Sequence, residues 1–277
     1  TTHGFSTAQA TLDILQNEHP IIEKISDYRE LSKLKSTYVD ALPELLNPKT
    51  GRVHTSYNQT GTSTGRFSSS NPNLQNIPIR TELGREVRRA FVAPDGYKLL
   101  AVDYSQIELR IMAHISEDET LMRAFEEGQD IHQATAATVF DIEPAEVTYD
   151  QRSFAKRVNF GLMYGMGAYR LARESNLTLG EAQSFVDTYF KRIPGVKKYI
   201  DVTEKQAQDE GYVETLLGRK RYFRHLQEGK TSGNRVRGEL RAAINMPIQG
   251  TAADILKIAM INLHKKLKES DLGASMI

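Results

Sequence analysis

The chain has 277 residues, 39% hydrophobic and 26% charged, a composition that suits one large soluble domain or two closely joined ones. That balance excludes a disordered chain, and no apolar run approaches the roughly 20 residues of a membrane helix. The lack of cysteine excludes disulfides and thiolate metal sites, as fits an intracellular protein, and a net charge of +1 excludes a global basic field. The opening residues, Thr1 to Phe5, lack the basic and apolar regions of a signal peptide.

In residues 1–47, Leu12, Leu15, Ile21, Ile22, Ile25, Tyr28, Leu31 and Leu34 recur at helical spacing, with a break at Pro20. Asn47 to Gly51 reads as a turn, and Val53 to Tyr57 alternates like a strand. Residues 60–76 are dense in Thr, Ser, Gly, Asn and Pro, which predicts loop, yet Arg66 and Phe67 sit inside it. Residues 88–104 read as sheet, with a turn at Pro94-Asp-Gly96 and an apolar strand Lys98 to Val102.

The period changes at Asp103. Ile107, Ile111 and Ile115 predict a helix, followed by helices over 118–127, 131–140, 149–164, 179–190 and 195–209. Tyr212 to Leu217 reads as a strand ending in a turn at Gly218. Two helices, about 233–244 and 250–269, flank an interruption at Asn245-Met-Pro-Ile-Gln-Gly250. Charge is uneven along this half. Arg219-Lys-Arg-Tyr-Phe-Arg224 holds four cations and no acid, and Lys230, Arg235, Arg237 and Arg241 follow; such a run is ordinarily a solvated face and alone assigns nothing. Sheet and helix in separate blocks predict an α+β fold with a helical insertion.

Two segments carry chemistry. In Leu99 to Arg110 an apolar strand is expected to deliver Asp103 to solvent, with Glu108 close by on the following helix. A hard carboxylate oxygen suits Mg²⁺, which takes one or two carboxylates together with substrate phosphates. Asp103 serves equally as an N-cap for that helix, and on this segment alone both readings stand. In Arg152 to Gly165, the residues Arg152, Lys156, Phe160 and Tyr164 are spaced by four, so one helix face carries two cations and then two aromatic rings. A triphosphate needs the cations and a base needs a flat apolar surface. A stripe of Phe and Tyr alone would read as core, but Arg and Lys are rarely fully buried.

Asp103-Tyr-Ser-Gln-Ile-Glu-Leu-Arg110 resembles motif A of the family A DNA polymerases, the bacterial DNA polymerase I group. Three further segments agree in order: Thr64-Gly-Arg-Phe-Ser-Ser-Ser-Asn-Pro-Asn-Leu-Gln-Asn-Ile-Pro78, the 152–165 helix, and Arg241-Ala-Ala-Ile-Asn-Met-Pro-Ile-Gln-Gly250. The resemblance runs from Ser6 to Ile277. It implies an antiparallel palm sheet with a large helical fingers insertion and a partial helical thumb base. The divisions would be a thumb base over 1–47, palm with primer loop and motif A over 48–117, fingers over 118–210, and a fingers and palm return over 211–277.

The resemblance also implies roles. Arg152 and Lys156 hold the phosphates of the incoming nucleotide, Lys156 being the general acid for pyrophosphate departure. Phe160 packs on sugar and base, Tyr164 stands near the templating base, His132 contacts phosphate, and Gln106 and Glu108 line the nucleotide site. Gly161 and Gly165 let the helix end pivot. Arg66 reaches the minor groove at the primer terminus, and Asn73, Gln75 and Asn76 contact backbone and groove. Acceptors there are shared by every base pair, so Arg66 tests pair geometry without reading sequence. Arg241, Asn245 and Gln249 face the template, and Lys33 meets the duplex backbone. Asp103 and the Tyr104 carbonyl are the metal ligands on this side, for two Mg²⁺ ions in a two-metal transfer. Primer-template DNA and dNTP are the implied partners of a cytoplasmic monomer with no membrane contact.

No His-Asp dipeptide occurs in the chain, whereas the family draws its second catalytic carboxylate from a His-Asp-Glu turn. The expectation is therefore a site cut short before that residue, with little or no activity of its own. A single-subunit RNA polymerase relative and a non-catalytic DNA-binding module are the alternatives. Glu108, which would crowd a ribose 2′-OH, argues against the first. Asp103 together with Arg152 and Lys156 argues against the second, since binding DNA alone needs no nucleotide site.

Overall fold

A computed structural model describes residues 5–79, 81–140, 142–175, 177–227 and 233–277, so Lys230 of the basic run lies outside the described residues. The chain divides into two compact units, residues 1–61 with 67–102, and residues 62–66 with 103–277.

The smaller unit opens with α1 (Gln9–Ile14) and α2 (Ile21–Leu34), separated at Pro20 as the periodicity predicts. One widened turn over Lys35–Val39 leads to α3 (Ala41–Glu44). Leu12, Leu34 and Tyr38 are its buried apolar side chains. The expected strand at 53–57 is split. β1 (Leu46–Asn47) pairs with β2 (Arg52–Val53), and β3 (Ser56–Asn58) pairs with β4 (Ser68–Ser70), both antiparallel. A 3₁₀ turn, Leu74–Asn76, is capped by Asn73, whose Oδ1 accepts from the Gln75 N–H at 3.0 Å. Thr81 caps α4 (Glu82–Arg88) by accepting from the Gly84 N–H.

Residues 91–104 correct the sheet expected there: they form no strand. Leu100 and Val102 are 87% and 85% exposed. Apolar alternation makes a strand only when a neighbour completes its hydrogen bonds, and no described segment pairs with this one. Among the described residues the strands form three separate two-stranded antiparallel ribbons. The α+β character stands, with helix dominant.

The larger unit is mainly helical: α5 (Ile107–Ser116), α6 (Glu119–Glu126), α7 (Ile131–Phe140), α8 (Tyr149–Met163), α9 (Ala168–Glu174), α10 (Leu179–Arg192) and α11 (Pro194–Asp209). Their starts are written locally. Thr148 with Gln151 and Thr178 with Glu181 form reciprocal capping boxes for α8 and α10. The α9 helix, only seven residues long, carries too little periodic signal to be read from sequence.

Leu109, Ile111 and Met112 of α5 pack with Val196, Tyr199 and Ile200 of α11 and with Ile244 and Ile248 further on, forming the main core. Val158 and Leu162 of α8 pack with Leu171 of α9 and Ala182 of α10 in a second. The expected strand at 212–217 is one arm of a hairpin, β5 (Tyr212–Glu214) with β6 (Lys220–Tyr222), turning at Gly218. A short α12 (Arg224–Gln227) follows.

The break predicted at 245–250 does not occur. One helix, α13, runs from Asn234 to Lys268 with Pro247 inside it. A proline costs the ladder one bond and crowds the preceding turn. Here Met246, Ile248 and Ala243 are fully buried, so packing holds the helix through the defect. Beside it, the Tyr199 hydroxyl donates to the Ile244 carbonyl at 2.6 Å, supplying an outside donor next to the disturbed turn.

Candidate active site

The 152–165 stripe lies on α8 as its spacing predicts, and α7 fixes its first half. Asp130 caps α7 by accepting at Oδ1 from the His132 and Gln133 N–H groups, at 3.0 and 3.1 Å. Its Oδ2 accepts from Arg152 Nε at 2.6 Å. Burial works against the Asp130 charge, but the Arg152 hydrogen bond and the two backbone donors outweigh it and hold the carboxyl below its ordinary range. One carboxylate thus caps the start of a helix and holds a guanidinium. Lys156, one turn on, is exposed, and no acid holds it among the described residues.

Next along the stripe, Phe160 and Tyr164 have ring centroids 6.0 Å apart, and Phe160 lies 5.7 Å from His132. His132 is 1% exposed. Its Nδ1 faces the Asn159 amide at 3.1 Å, and its Nε2 has no hydrogen-bond partner among the described residues. Burial pushes its pKa down to about 4; nearby Asp130 opposes this, while Arg152 and Lys156 add to it. The ring is therefore neutral at pH 7. Asn159 also meets Thr135 Oγ1 at 2.9 Å. Sequence reasoning passed over Asn159, because the stripe spaced by four runs along another face of α8. Its signal is that an amide stands among the apolar residues Val158 and Leu162.

Tyr164 closes α8, and its hydroxyl donates to Glu108 on α5. Arg66, from the loop before β4, binds the other Glu108 oxygen. Three residues from three separate motifs therefore meet in one cluster. Burial, and after it the Glu108 carboxylate, raises the Tyr164 phenol above its usual range, so it stays a donor. Gln106 precedes α5 in a left-handed conformation, φ 52°, and makes no cap bond with its side chain. It, and not Asp103, occupies the N-cap position. Asp103 and Tyr104 are exposed, on an irregular segment and not at the end of the buried strand that the sequence suggested.

On α13, Arg241, Asn245 and Gln249 follow one another by four on an unbroken helix. The Arg241 stem lies so close to Gly165 that a Cβ there would meet its Cγ at 3.2 Å. Asn245 Oδ1 is buried without a partner among the described residues. The remaining sequence candidates belong to the smaller unit. Lys33, Asn73 and Asn76 line a cleft of about 410 Å³ with Thr37, Tyr38, Leu42 and Pro72. Tyr38 donates its hydroxyl to the Asn76 carbonyl, and Gln75 Nε2 donates to the Phe67 carbonyl at 3.2 Å.

No group of three or more His, Asp or Glu is arranged to hold a metal ion among the described residues. Asp103 offers one exposed carboxylate and Tyr104 one backbone carbonyl, a partial set of hard oxygen donors of the kind Mg²⁺ takes alongside phosphate oxygens. No helix is long and apolar enough to cross a membrane among those residues.

Two cations and two tilted aromatic rings on α8 thus lie beside an Arg–Glu–Tyr cluster drawn from distant motifs. The family model for DNA polymerase family A matches residues 1–277, and the chain belongs to that family. It is 54% identical over 272 residues to the thermostable DNA polymerase I of Thermus filiformis, covering 98% of this chain and 32% of that protein. It is 53% identical over 273 residues to DNA polymerase I of Pseudomonas aeruginosa, covering 98% and 30%. Among solved structures it is similar to the POL domain of Pol1 from M. smegmatis in complex with DNA primer-template and dNTP. That likeness has a TM-score of 0.88 and 44% identity, and covers 99% of this chain and 48% of the other. The chain spans about a third of the length of the curated relatives it matches.

Proposed function

We propose that this chain carries the nucleotide-handling and primer-handling part of an enzyme that adds deoxynucleotides to a primer under template direction. The observation that carries the reading is the α8 stripe, in which Phe160 lies beside Tyr164 and Tyr164 is tied through Glu108 to Arg66. A relative solved with primer-template and dNTP supports the same substrates here. On this reading α6 to α11 are the fingers, 1–47 is the thumb base, and the cleft at Lys33, Asn73 and Asn76 follows the duplex backbone with Gln75.

Each residue has a task that its chemistry suits. Arg152 and Lys156 bind the triphosphate, which competes with Asp130 for Arg152 through greater charge and several acceptor oxygens. Lys156, which no acid holds among the described residues, gives a proton to the departing pyrophosphate. His132, neutral, offers Nε2–H to a phosphate oxygen, with Asn159 setting the ring. Phe160 stacks on the sugar and base and Tyr164 flanks the templating position. Gln106 and Glu108 line the sugar, where Glu108 excludes a 2′-OH. Arg66 reads the minor groove of the terminal pair, and Arg241, Asn245 and Gln249 lie along the template. Asp103 and the Tyr104 carbonyl would help to hold divalent cations, and a two-metal arrangement would supply Lewis-acid stabilisation of the phosphoryl oxygens.

Single-turnover incorporation by the full-length protein tests the assignment, with the nucleotide dissociation constant and the chemical rate measured separately. Wild-type values in both for Arg152→Ala and Lys156→Ala would remove the stripe from the nucleotide site.

A further inference from the structure

Asp254, on α13, is buried and fully engaged. Its Oδ1 accepts from Arg219 Nε at 2.9 Å and Nη2 at 2.6 Å, and its Oδ2 accepts from Thr215 Oγ1 at 2.9 Å. Thr215 Oγ1 accepts from the Arg219 N–H at 3.1 Å, and Thr251, one turn before Asp254, accepts from the Leu216 N–H at 3.1 Å. The turn of the β5–β6 hairpin is thereby locked onto α13, and the guanidinium of Arg219 is held in one plane. Nothing in the nucleotide site uses this pair.

What rests on that plane is Gly65. A Cβ built there would lie 2.6 Å from Arg219 Nε and 2.8 Å from Cζ, and Gly65 has φ +76°, so the backbone sits directly against the guanidinium. The next residue is Arg66. Residues 62–66 have no regular structure of their own, so contacts alone decide where Arg66 stands. Among the described residues these are the Gly65 seat, the Gly65 N–H donating to the Thr62 carbonyl at 3.3 Å, the Thr62 hydroxyl donating to the Arg66 carbonyl at 2.8 Å, and the Arg66 ion pair with Glu108.

We infer that Arg219 and Asp254 are positioning residues for Arg66, and through Arg66 for Glu108 and Tyr164. Asp254 fixes the guanidinium, the guanidinium seats Gly65, and Gly65 sets the point from which the Arg66 side chain reaches Glu108. Neither Arg219 nor Asp254 touches a substrate on this account. The consequence for selection rests on the reading that Glu108 excludes a 2′-OH. The mechanical chain from Asp254 to Arg66 does not.

The test labels arginine with ¹⁵N in the 277-residue chain and follows the Arg66 Nε–H resonance, identified by its loss in Arg66→Lys. Glu108→Gln marks where the resonance goes when the ion pair weakens. Asp254→Asn and Arg219→Lys are expected to move it the same way; Arg219→Lys keeps a charge beside Asp254 and carries the test should Asp254→Asn fail to fold. A lowered melting temperature with the Arg66 resonance unmoved would make the pair a structural tie only and overturn the inference. Ribonucleotide discrimination by the full-length protein is the second arm. Asp254→Asn is expected to relax it by roughly twofold to a hundredfold, the span of ordinary coupling between residues in contact, and Glu108→Ala by more. Unchanged discrimination in Glu108→Ala removes the sugar reading while a moved Arg66 resonance still upholds the positioning. A relaxed Glu108→Ala with an unmoved resonance in Arg219→Lys removes the positioning alone.

Discussion

Tyr164, the last residue of the α8 stripe, donates its hydroxyl hydrogen to Glu108 in the first turn of α5, on the carboxylate that Arg66 also holds. A carboxylate with two donors is fixed in direction, and its side chain keeps only a fifth of its surface in solvent. That rigidity is what steric selection needs, since a mobile carboxylate would swing aside for a 2′-OH. Glu108→Ala is therefore expected to raise ribonucleotide incorporation relative to deoxyribonucleotide. Phe160→Tyr, which on the proposed placement adds a hydroxyl beside the sugar, is expected to improve acceptance of dideoxynucleotides. Competition between paired nucleotides in primer extension measures both, and unchanged selectivity in both variants would place the sugar elsewhere.

Arg152 and Lys156 differ in their partners, and their variants are expected to differ in kind. Lys156→Ala should slow the chemical step by roughly 10²–10⁴, the usual contribution of a placed general acid. Arg152→Ala should mainly weaken nucleotide binding, because a guanidinium on the phosphates acts in ground and transition states alike. Asp130→Asn gives a third arm, since it releases Arg152 from its ion pair. Tighter nucleotide binding is expected from it, and weaker binding would show that Asp130 aims Arg152 instead of competing for it.

His132 makes stability depend on pH. Its folded pKa, pushed down to about 4, lies below the ordinary 6.5 of a histidine, so the fold favours the neutral ring. The unfolded chain binds the extra proton first as pH falls. The contribution of His132 is therefore complete above 6.5 and is lost as pH falls toward 4, at up to ~1.4 kcal/mol per pH unit for one proton. Denaturant titrations between pH 7 and 4 should show a shallower slope in His132→Gln than in the parent. Equal slopes would mean that the ring is charged in the folded chain.

Much of this was legible in the sequence because it is local. Helix starts at Thr148 and Thr178 announce themselves three residues ahead through Gln151 and Glu181, and the spacing by four that marks α8 survives folding unchanged. Two expectations failed where the deciding contact is distant. The strand at 98–102 had the right residues, but a strand is a property of a pair, and its neighbour cannot be read from its own alternation. Pro247 has a strong local preference to end a helix, and burial of Met246 and Ile248 against other elements overrides it. In the site, the stripe was visible because one helix carries it. The junction of Arg66 with Glu108 joins residues 42 apart, and that of Glu108 with Tyr164 joins residues 56 apart, so no periodicity could reveal either.

Asp118 offers the sharpest test of how the helices are tied together. It is buried, and one carboxylate serves two elements. Oδ1 accepts from the Thr120 and Leu121 N–H groups, both at 3.1 Å, which caps α6, and Oδ2 accepts from the Gly195 N–H at 2.9 Å in the first turn of α11. Gly195 is there because nothing larger fits: a Cβ would lie 2.8 Å from the Ser116 carbonyl oxygen and 3.0 Å from Asp118 Cα. Backbone does not give way as a flexible side chain does. Asp118→Ala should cost about 1–2 kcal/mol for the lost cap and more for the orphaned Gly195 donor. Gly195→Ala should cost about 1–3 kcal/mol by overpacking while leaving every cap bond available. Because each variant breaks the same junction, the double variant should cost less than the sum of the two. Equilibrium denaturation of the four proteins measures this, and strict additivity would show that Asp118 caps α6 without holding α11.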